Sequence, residues 1–232
     1  AVDIPIIANL NGTTVGGWNE YAKLMGEAGA DAIELNIYYI PTDFNKSGAD
    51  IEQEYLDVLK AVKDATDKPV ALKISPFFSN MAYMAKQFDE AGANALVLFN
   101  RFYQPDLNLE TVEVEPNINL SHSQAIRLPL RWIALLKNNI KADLAATSGI
   151  HTGRDVVKLL MVGANVAQVC SALFKNGINE LKNIELQLID WMEENEYDSL
   201  TKLQGRATKE KVVNPEAFER SQYVKSLSDY KF

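Results

Sequence analysis

Apolar positions along this chain fall into two alternating rhythms, which predict a repeating strand and helix architecture. Short runs rich in Val, Ile, Leu and Ala predict strands near residues 4–10, 32–38, 69–75, 95–100, 142–147 and 166–171. Between them, apolar residues recur at helical spacing near 17–28, 50–66, 79–91, 128–140 and 153–162, and a long helix is expected near 177–195. The alternation gives six consecutive βα units, so a parallel sheet is expected.

An internal repeat supports this reading. Glu27-Ala-Gly-Ala-Asp-Ala-Ile-Glu-Leu35, Glu90-Ala-Gly-Ala-Asn-Ala-Leu-Val-Leu98 and Met161-Val-Gly-Ala-Asn-Val-Ala-Gln-Val169 share one design. Each ends a helix on Gly, which takes the left-handed conformation without a Cβ clash, and begins a strand two or three residues later. Such turns suit both a (β/α)8 TIM barrel and a doubly wound open sheet. No Gly-x-Gly-x-x-Gly follows a strand, which argues against a dinucleotide-binding form of the open sheet.

Two regions break the rhythm. Residues 101–127 are too long for a plain βα loop, and Leu107, Leu109, Val112 and Val114 alternate within them. A small β excursion placed like a lid over the strand ends is expected there. The tail from Leu200 to Phe232 is charged but carries Phe218, Tyr223, Leu227 and Tyr230, so it is expected to pack on the body or on a partner.

Polar groups collect at the ends of otherwise apolar strands. Asn36 closes the second, Lys73 lies near the end of the third and Asn100 follows the fourth. Buried polar groups need partners, so three of them at three strand ends suggest one shared site. Composition narrows its use. With 232 residues, 47% of them hydrophobic, the chain can bury the core of one large domain. Its formal net charge of -8 argues against a nucleic-acid partner. No apolar run reaches membrane-spanning length, which argues against a membrane partner. The lone Cys170 allows no internal disulfide and suits a reducing, cytoplasmic setting. His122 and His151 have no second His or Cys at ligand spacing, so no metal site is expected.

Several segments then resemble one family in order. They are Pro5-Ile-Ile-Ala-Asn-Leu-Asn-Gly12, Gly29-Ala-Asp-Ala-Ile-Glu-Leu-Asn36, Pro69-Val-Ala-Leu-Lys-Ile-Ser-Pro76, Ser148-Gly-Ile-His-Thr-Gly153 and Gly163-Ala-Asn-Val-Ala-Gln-Val-Cys-Ser-Ala-Leu173. Together they resemble the dihydroorotate dehydrogenases over almost the whole chain. Ile37-Tyr-Tyr-Ile-Pro-Thr-Asp43, Phe99-Asn-Arg-Phe-Tyr-Gln-Pro105 and Arg127-Leu-Pro-Leu-Arg-Trp132 resemble, more narrowly, a dihydroorotate dehydrogenase-like subgroup.

The resemblance implies a (β/α)8 barrel with FMN across its C-terminal mouth. By position, Asn36 matches a residue touching flavin and substrate, Lys73 a lysine beside the flavin, and Asn100 a substrate-binding Asn. A cation near the flavin N1–C2=O edge stabilises the negative charge of the reduced ring. Phosphate is expected at the last two strand turns, where Ser148, Gly149, Cys170 and Ser171 stand. Gly149 is expected to let backbone approach the phosphate, and Cys170 also reads as a small buried filler. The family pattern usually carries Gly-Gly and Gly-Thr at these turns.

The family's catalytic Cys or Ser falls at Tyr39, and a substrate-holding Asn falls at Pro41. An unperturbed phenol ionises only near pH 10, so a tyrosine suits proton donation better than proton removal. Tyr38 shares the parity of Glu34 and Asn36, and both tyrosines are candidates to face the flavin.

The expected function is FMN-dependent oxidation or reduction of a CH–CH group in a small polar substrate. The alternatives are a true dihydroorotate dehydrogenase of pyrimidine biosynthesis, a non-redox barrel holding a phosphorylated metabolite, and a silent subunit of a redox assembly. Six strands fall short of eight, and the first aligns with the family's third. N-terminal units outside this sequence, a second polypeptide or a homo-oligomer are therefore expected to complete the barrel.

Overall fold

The computed structural model describes residues 2–12, 18–101, 103–116, 118–220 and 223–228. Six parallel strands form its main sheet: β1 (Ile7–Gly12), β2 (Ala32–Ile37), β3 (Val70–Ile74), β4 (Ala95–Leu98), β7 (Asp143–Thr147) and β8 (Val166–Gln168). Their order is β1-β2-β3-β4-β7-β8, so each strand joins the edge left by the one before it. The sheet curls into part of a (β/α)8 barrel, with the helices on its convex face. Those helices are α1 (Trp18–Glu27), α2 (Gly48–Ala65), α3 (Met81–Glu90), α4 (Arg127–Leu136) and α5 (Gly153–Val162).

Strand parity separates two environments. Ile33, Leu35, Leu72, Ile74, Leu96, Leu98 and Leu144 face the helices and have no exposed surface. Each such burial stabilises the fold by about 1.5–3 kcal/mol relative to an exposed side chain. The opposite parity faces the concave side, where Asn36, Lys73, Val97 and Ala145 stand side by side in register. The six-residue strand with one apolar and one polar face therefore carries both core and site.

The three repeats share a physical purpose. Gly29, Gly92 and Gly163 adopt φ values of 97°, 92° and 115°, the left-handed conformation expected of them. The Asp or Asn two residues later forms a reciprocal clip to a strand entrance. Asp31 N–H donates to Ile6 O at 2.8 Å, while Ile6 N–H donates to Asp31 Oδ2 at 2.7 Å. Asn94 pairs identically with Val70 at 2.8 and 2.9 Å, and Asn165 with Leu144 at 2.7 and 3.0 Å. Each clip satisfies a backbone donor that the sheet ladder does not reach.

Some boundaries differ from the sequence expectation. β1 begins at Ile7 rather than near residue 4, because the Ile6 N–H is spent on Asp31, and Ile4 remains 66% exposed. The expected long helix is preceded by a separate short one: α6 (Ser171–Asn176) ends at Gly177 (φ 83°) before α7 (Glu180–Glu194). Residue 17 of the first expected helix, Phe102 and Asn117 of the insertion, and Tyr230 of the tail lie outside the described residues.

The insertion does contain the expected β excursion, an antiparallel hairpin of β5 (Asp106–Asn108) and β6 (Glu113–Glu115) with Leu107 opposite Val114. In the tail, Gly205 N–H and Ala207 N–H donate to Leu160 O and Met161 O at 2.9 and 2.7 Å. Leu203 is fully buried and Phe218 packs against the core, whereas Leu227 is 58% exposed and does not.

Candidate active site

The carboxyl ends of the strands enclose two cavities. The inner one, about 210 Å³, is lined by Lys73, Asn100, Arg101, Ser121, Ser148, Gly149 and Gln168, with Cys170 and Ser171 beside them. The outer one, about 650 Å³, lies under the insertion between Tyr38, Arg101, Tyr103, Leu120 and Phe174. Arg101, Ser121, Cys170 and Ser171 line both, so the two spaces adjoin.

Of the residues singled out from sequence, Lys73, Asn100, Ser148, Gly149, Cys170 and Ser171 converge on the inner cavity. Asn36 stands next to Lys73 in register. Asn100 is fixed by its N–H to Ile74 O at 2.8 Å and by its amide to Ile37 O at 3.3 Å. The two tyrosines separate. Tyr38 lines the outer cavity, and its hydroxyl accepts the Tyr103 N–H at 2.6 Å. Tyr39 packs against the hydrophobic core instead. Cys170 is exposed, which corrects its reading as a buried filler; it caps the start of α6 and opens onto both cavities.

The two turns at β7 and β8 are built unusually. Ser148 holds φ 81°, a conformation that costs a non-glycine residue on the order of 1 kcal/mol or more. Gly149 follows at φ 77°, and a Cβ on it would collide with the backbone of Ala125 and Ile126. Its lack of a side chain thus serves the close approach of the insertion's last turn.

Ser121, from that insertion, joins both turns. Its hydroxyl accepts from Gly149 N–H at 3.2 Å and meets His151 Nε2 at 3.2 Å, while its N–H donates to Ser171 Oγ at 3.1 Å. Lys175 donates to Ser121 O at 2.7 Å. Asp155 accepts from His151 N–H and Thr152 N–H at 3.1 and 3.0 Å and from Ser123 at 3.0 Å, which fixes the turn leading into α5.

Below the cavity, Glu34 joins four strands on the concave face. It accepts from Asn9 at 2.6 Å, Lys73 at 3.1 Å and Gln168 at 2.8 Å, and is 7% exposed. The sequence reading gave Asn9, Glu34, Arg101, Ser121 and Gln168 no site role. Polar residues at the inward parity of apolar strands were the available signal for Asn9, Glu34 and Gln168. Among the described residues, the buried Asn36 Oδ1 and Ser148 Oγ have no hydrogen-bond partner. No cluster of three or more His, Cys, Asp or Glu capable of holding a metal occurs among the described residues.

A parallel β/α arc with a polar cavity at the carboxyl ends of its strands is the architecture of (β/α)8-barrel enzymes. The sequence profile described as "Dihydroorotate dehydrogenase" matches residues 1–192, and this chain belongs to that family. It is an oxidoreductase of the dihydroorotate dehydrogenase type.

Similar curated proteins carry the name dihydroorotate dehydrogenase B (NAD(+)), catalytic subunit. The Anoxybacillus flavithermus protein is 27% identical over 88% of this chain and 67% of its own length. The Geobacter sp. (strain M21) protein is 29% identical over 88% and 68%, and the Pyrococcus abyssi protein 27% over 89% and 70%.

Proposed function

We propose that this chain holds FMN across the strand ends and uses it to take hydride from a CH–CH group of a small polar substrate or to deliver it to the corresponding C=C bond. The observation carrying this reading is a pair of orphaned polar atoms near one lysine: Ser148 Oγ, whose residue lines the inner cavity with Lys73, and Asn36 Oδ1, whose residue is Lys73's neighbour in register. Buried polar atoms without partners are costly and mark places where a ligand supplies the missing contact.

The residues fit the group. Asn36 and Lys73 would hold the ring, and Ser148, Cys170 and Ser171 the phosphate end. FMN, when bound, supplies the hydride chemistry. Lys73 would donate to the ring edge it faces. Asn100 and Arg101 orient the substrate from the end of β4, and residues 101–127 form a lid whose Tyr103, Leu120 and Ser121 exclude water. Tyr38, which lines the outer cavity, would in the reducing direction supply a proton to the carbon beside the one that takes hydride. Dihydroorotate oxidation itself is the second reading, favoured by the names of the similar proteins. The words "catalytic subunit" in those names also support a second polypeptide as partner.

The test is direct. Protein denatured after purification should release one FMN per chain, and apoprotein should take FMN up far more tightly than riboflavin, which lacks the phosphate. If neither release nor uptake occurs, the flavin reading fails in favour of a phosphometabolite-binding barrel.

A further inference from the structure

Glu34 accepts from three side chains on the concave face, and the proposed flavin reading does not use it. Its carboxylate receives amide donors from β1 and β8 and the ammonium of Lys73 from β3. β2 and β8 are not neighbours in the sheet, so the Gln168 bond crosses the concave space rather than following the ladder. Lys73, 21% exposed along its side chain, reaches the inner cavity while tied to Glu34, whose side chain is 9% exposed. A buried carboxylate is retained only when several donors compensate its lost hydration, and here three do so.

We infer that Glu34 is a positioning residue that fixes Lys73 beneath the cofactor ring and offsets its charge, so that the ring faces a neutral pair instead of a free cation. The inference rests on the FMN reading for its consequence and on the Glu34–Lys73 bond for its geometry. Both bonding oxygens are specified: Oε1 serves Asn9 and Lys73, and Oε2 serves Gln168. Glu34→Gln preserves the shape, because its Oε1 still accepts and the Gln168 amide can turn its own oxygen towards the new donor. That substitution removes the charge and little else.

The test measures sulfite affinity of the flavin-loaded protein by bleaching of its visible band, since sulfite binds flavin more tightly where positive charge stands nearby. Glu34→Gln should tighten sulfite binding at least about tenfold, the scale expected for one unit charge within about 12 Å at an effective dielectric near 20. Lys73→Met should weaken it by a similar factor. The double variant, neutral again, should return to within about threefold of the parent. A merely structural Glu34 would leave sulfite affinity unchanged in the single variant, and the double variant would be no closer to the parent than Lys73→Met alone; either result overturns the inference.

Should Glu34→Gln fail to fold, comparison of the double variant with Lys73→Met still decides, because the double variant carries no uncompensated charge. A parent protein without flavin sinks the cofactor reading separately. In that case, acylation of Lys73 by a succinimidyl ester, followed by mass spectrometry, should be several-fold faster in Glu34→Gln than in the parent. Equal rates would overturn the Glu34–Lys73 coupling itself.

Discussion

Ser148 carries two opposed properties in one side chain. Its backbone occupies the left-handed region, and its buried hydroxyl has no partner among the described residues. Glycine would relieve the first and remove the second. Ser148→Gly should therefore raise the unfolding free energy of the apoprotein by about 0.5–1 kcal/mol, measured by urea titration, while weakening FMN binding. Stabilisation without loss of FMN affinity would show that the hydroxyl has no ligand. Gly149 was read from sequence as a phosphate-approach residue, but its tightest neighbours are Ala125 and Ile126, supplied by the insertion. A contact made by a segment more than twenty residues away leaves no local trace in the sequence.

At the scale of elements, the clips and the helix starts explain why so much was legible. Gly29, Gly92 and Gly163 announce helix ends by their chemistry, and Asp31, Asn94 and Asn165 repeat at a fixed offset. Asn94→Ala leaves Val70 N–H without its acceptor, and Asn165→Ala does the same to Leu144 N–H. Each should cost about 1–3 kcal/mol in chemical denaturation.

Helix starts were also readable. Ser47 and Asp50 form a capping box at α2, and Thr152 and Asp155 form another at α5. α6 was missed because it has only six residues and no side-chain cap, so nothing marked a helix between the strand expected to end near 171 and the helix expected from 177.

Packing between α2 and α3 yields a pH prediction. Tyr55, 4% exposed, meets Phe78 edge-on at 5.2 Å, and burial pushes its phenol up to about 12 although a Ser75 hydrogen bond opposes the shift. An unfolded tyrosine ionises near 10. The folded state thus holds this proton more tightly, so its stability contribution is complete below pH 10 and is lost as pH rises towards 12. The parent should lose about 2 kcal/mol more than Tyr55→Phe across that window, followed by denaturation at stepped pH.

For the whole molecule, the alternating β/α class was legible because short apolar strands and period-3.6 helices alternate six times, and six parallel strands result; the (β/α)8 form came with the family resemblance. The convergence of Lys73, Asn100, Ser148 and Ser171 followed from strand ends sharing one rim. The parting of Tyr38 from Tyr39 did not, since the parity of a strand stops where its loop begins. That parting sets an expectation for chemistry. With Tyr39 packed against the core and Pro41 offering no amide, dihydroorotate should bleach the bound flavin slowly in anaerobic stopped-flow measurements. Fast bleaching that Tyr38→Phe abolishes would instead mark Tyr38 as the working acid–base group of a true dihydroorotate dehydrogenase.

The bond from Gln168 to Glu34 spans 134 residues of chain, and its length has a consequence for the order in which the protein is made. At about 5–20 residues per second, a ribosome needs roughly 7–27 s to travel from one partner to the other. Through that interval Glu34 is already synthesised while its Oε2 acceptor has nothing to receive from Gln168. A nascent chain arrested before β8 should therefore keep the concave face wet, and drying of that space becomes a late event in biogenesis, timed by translation itself.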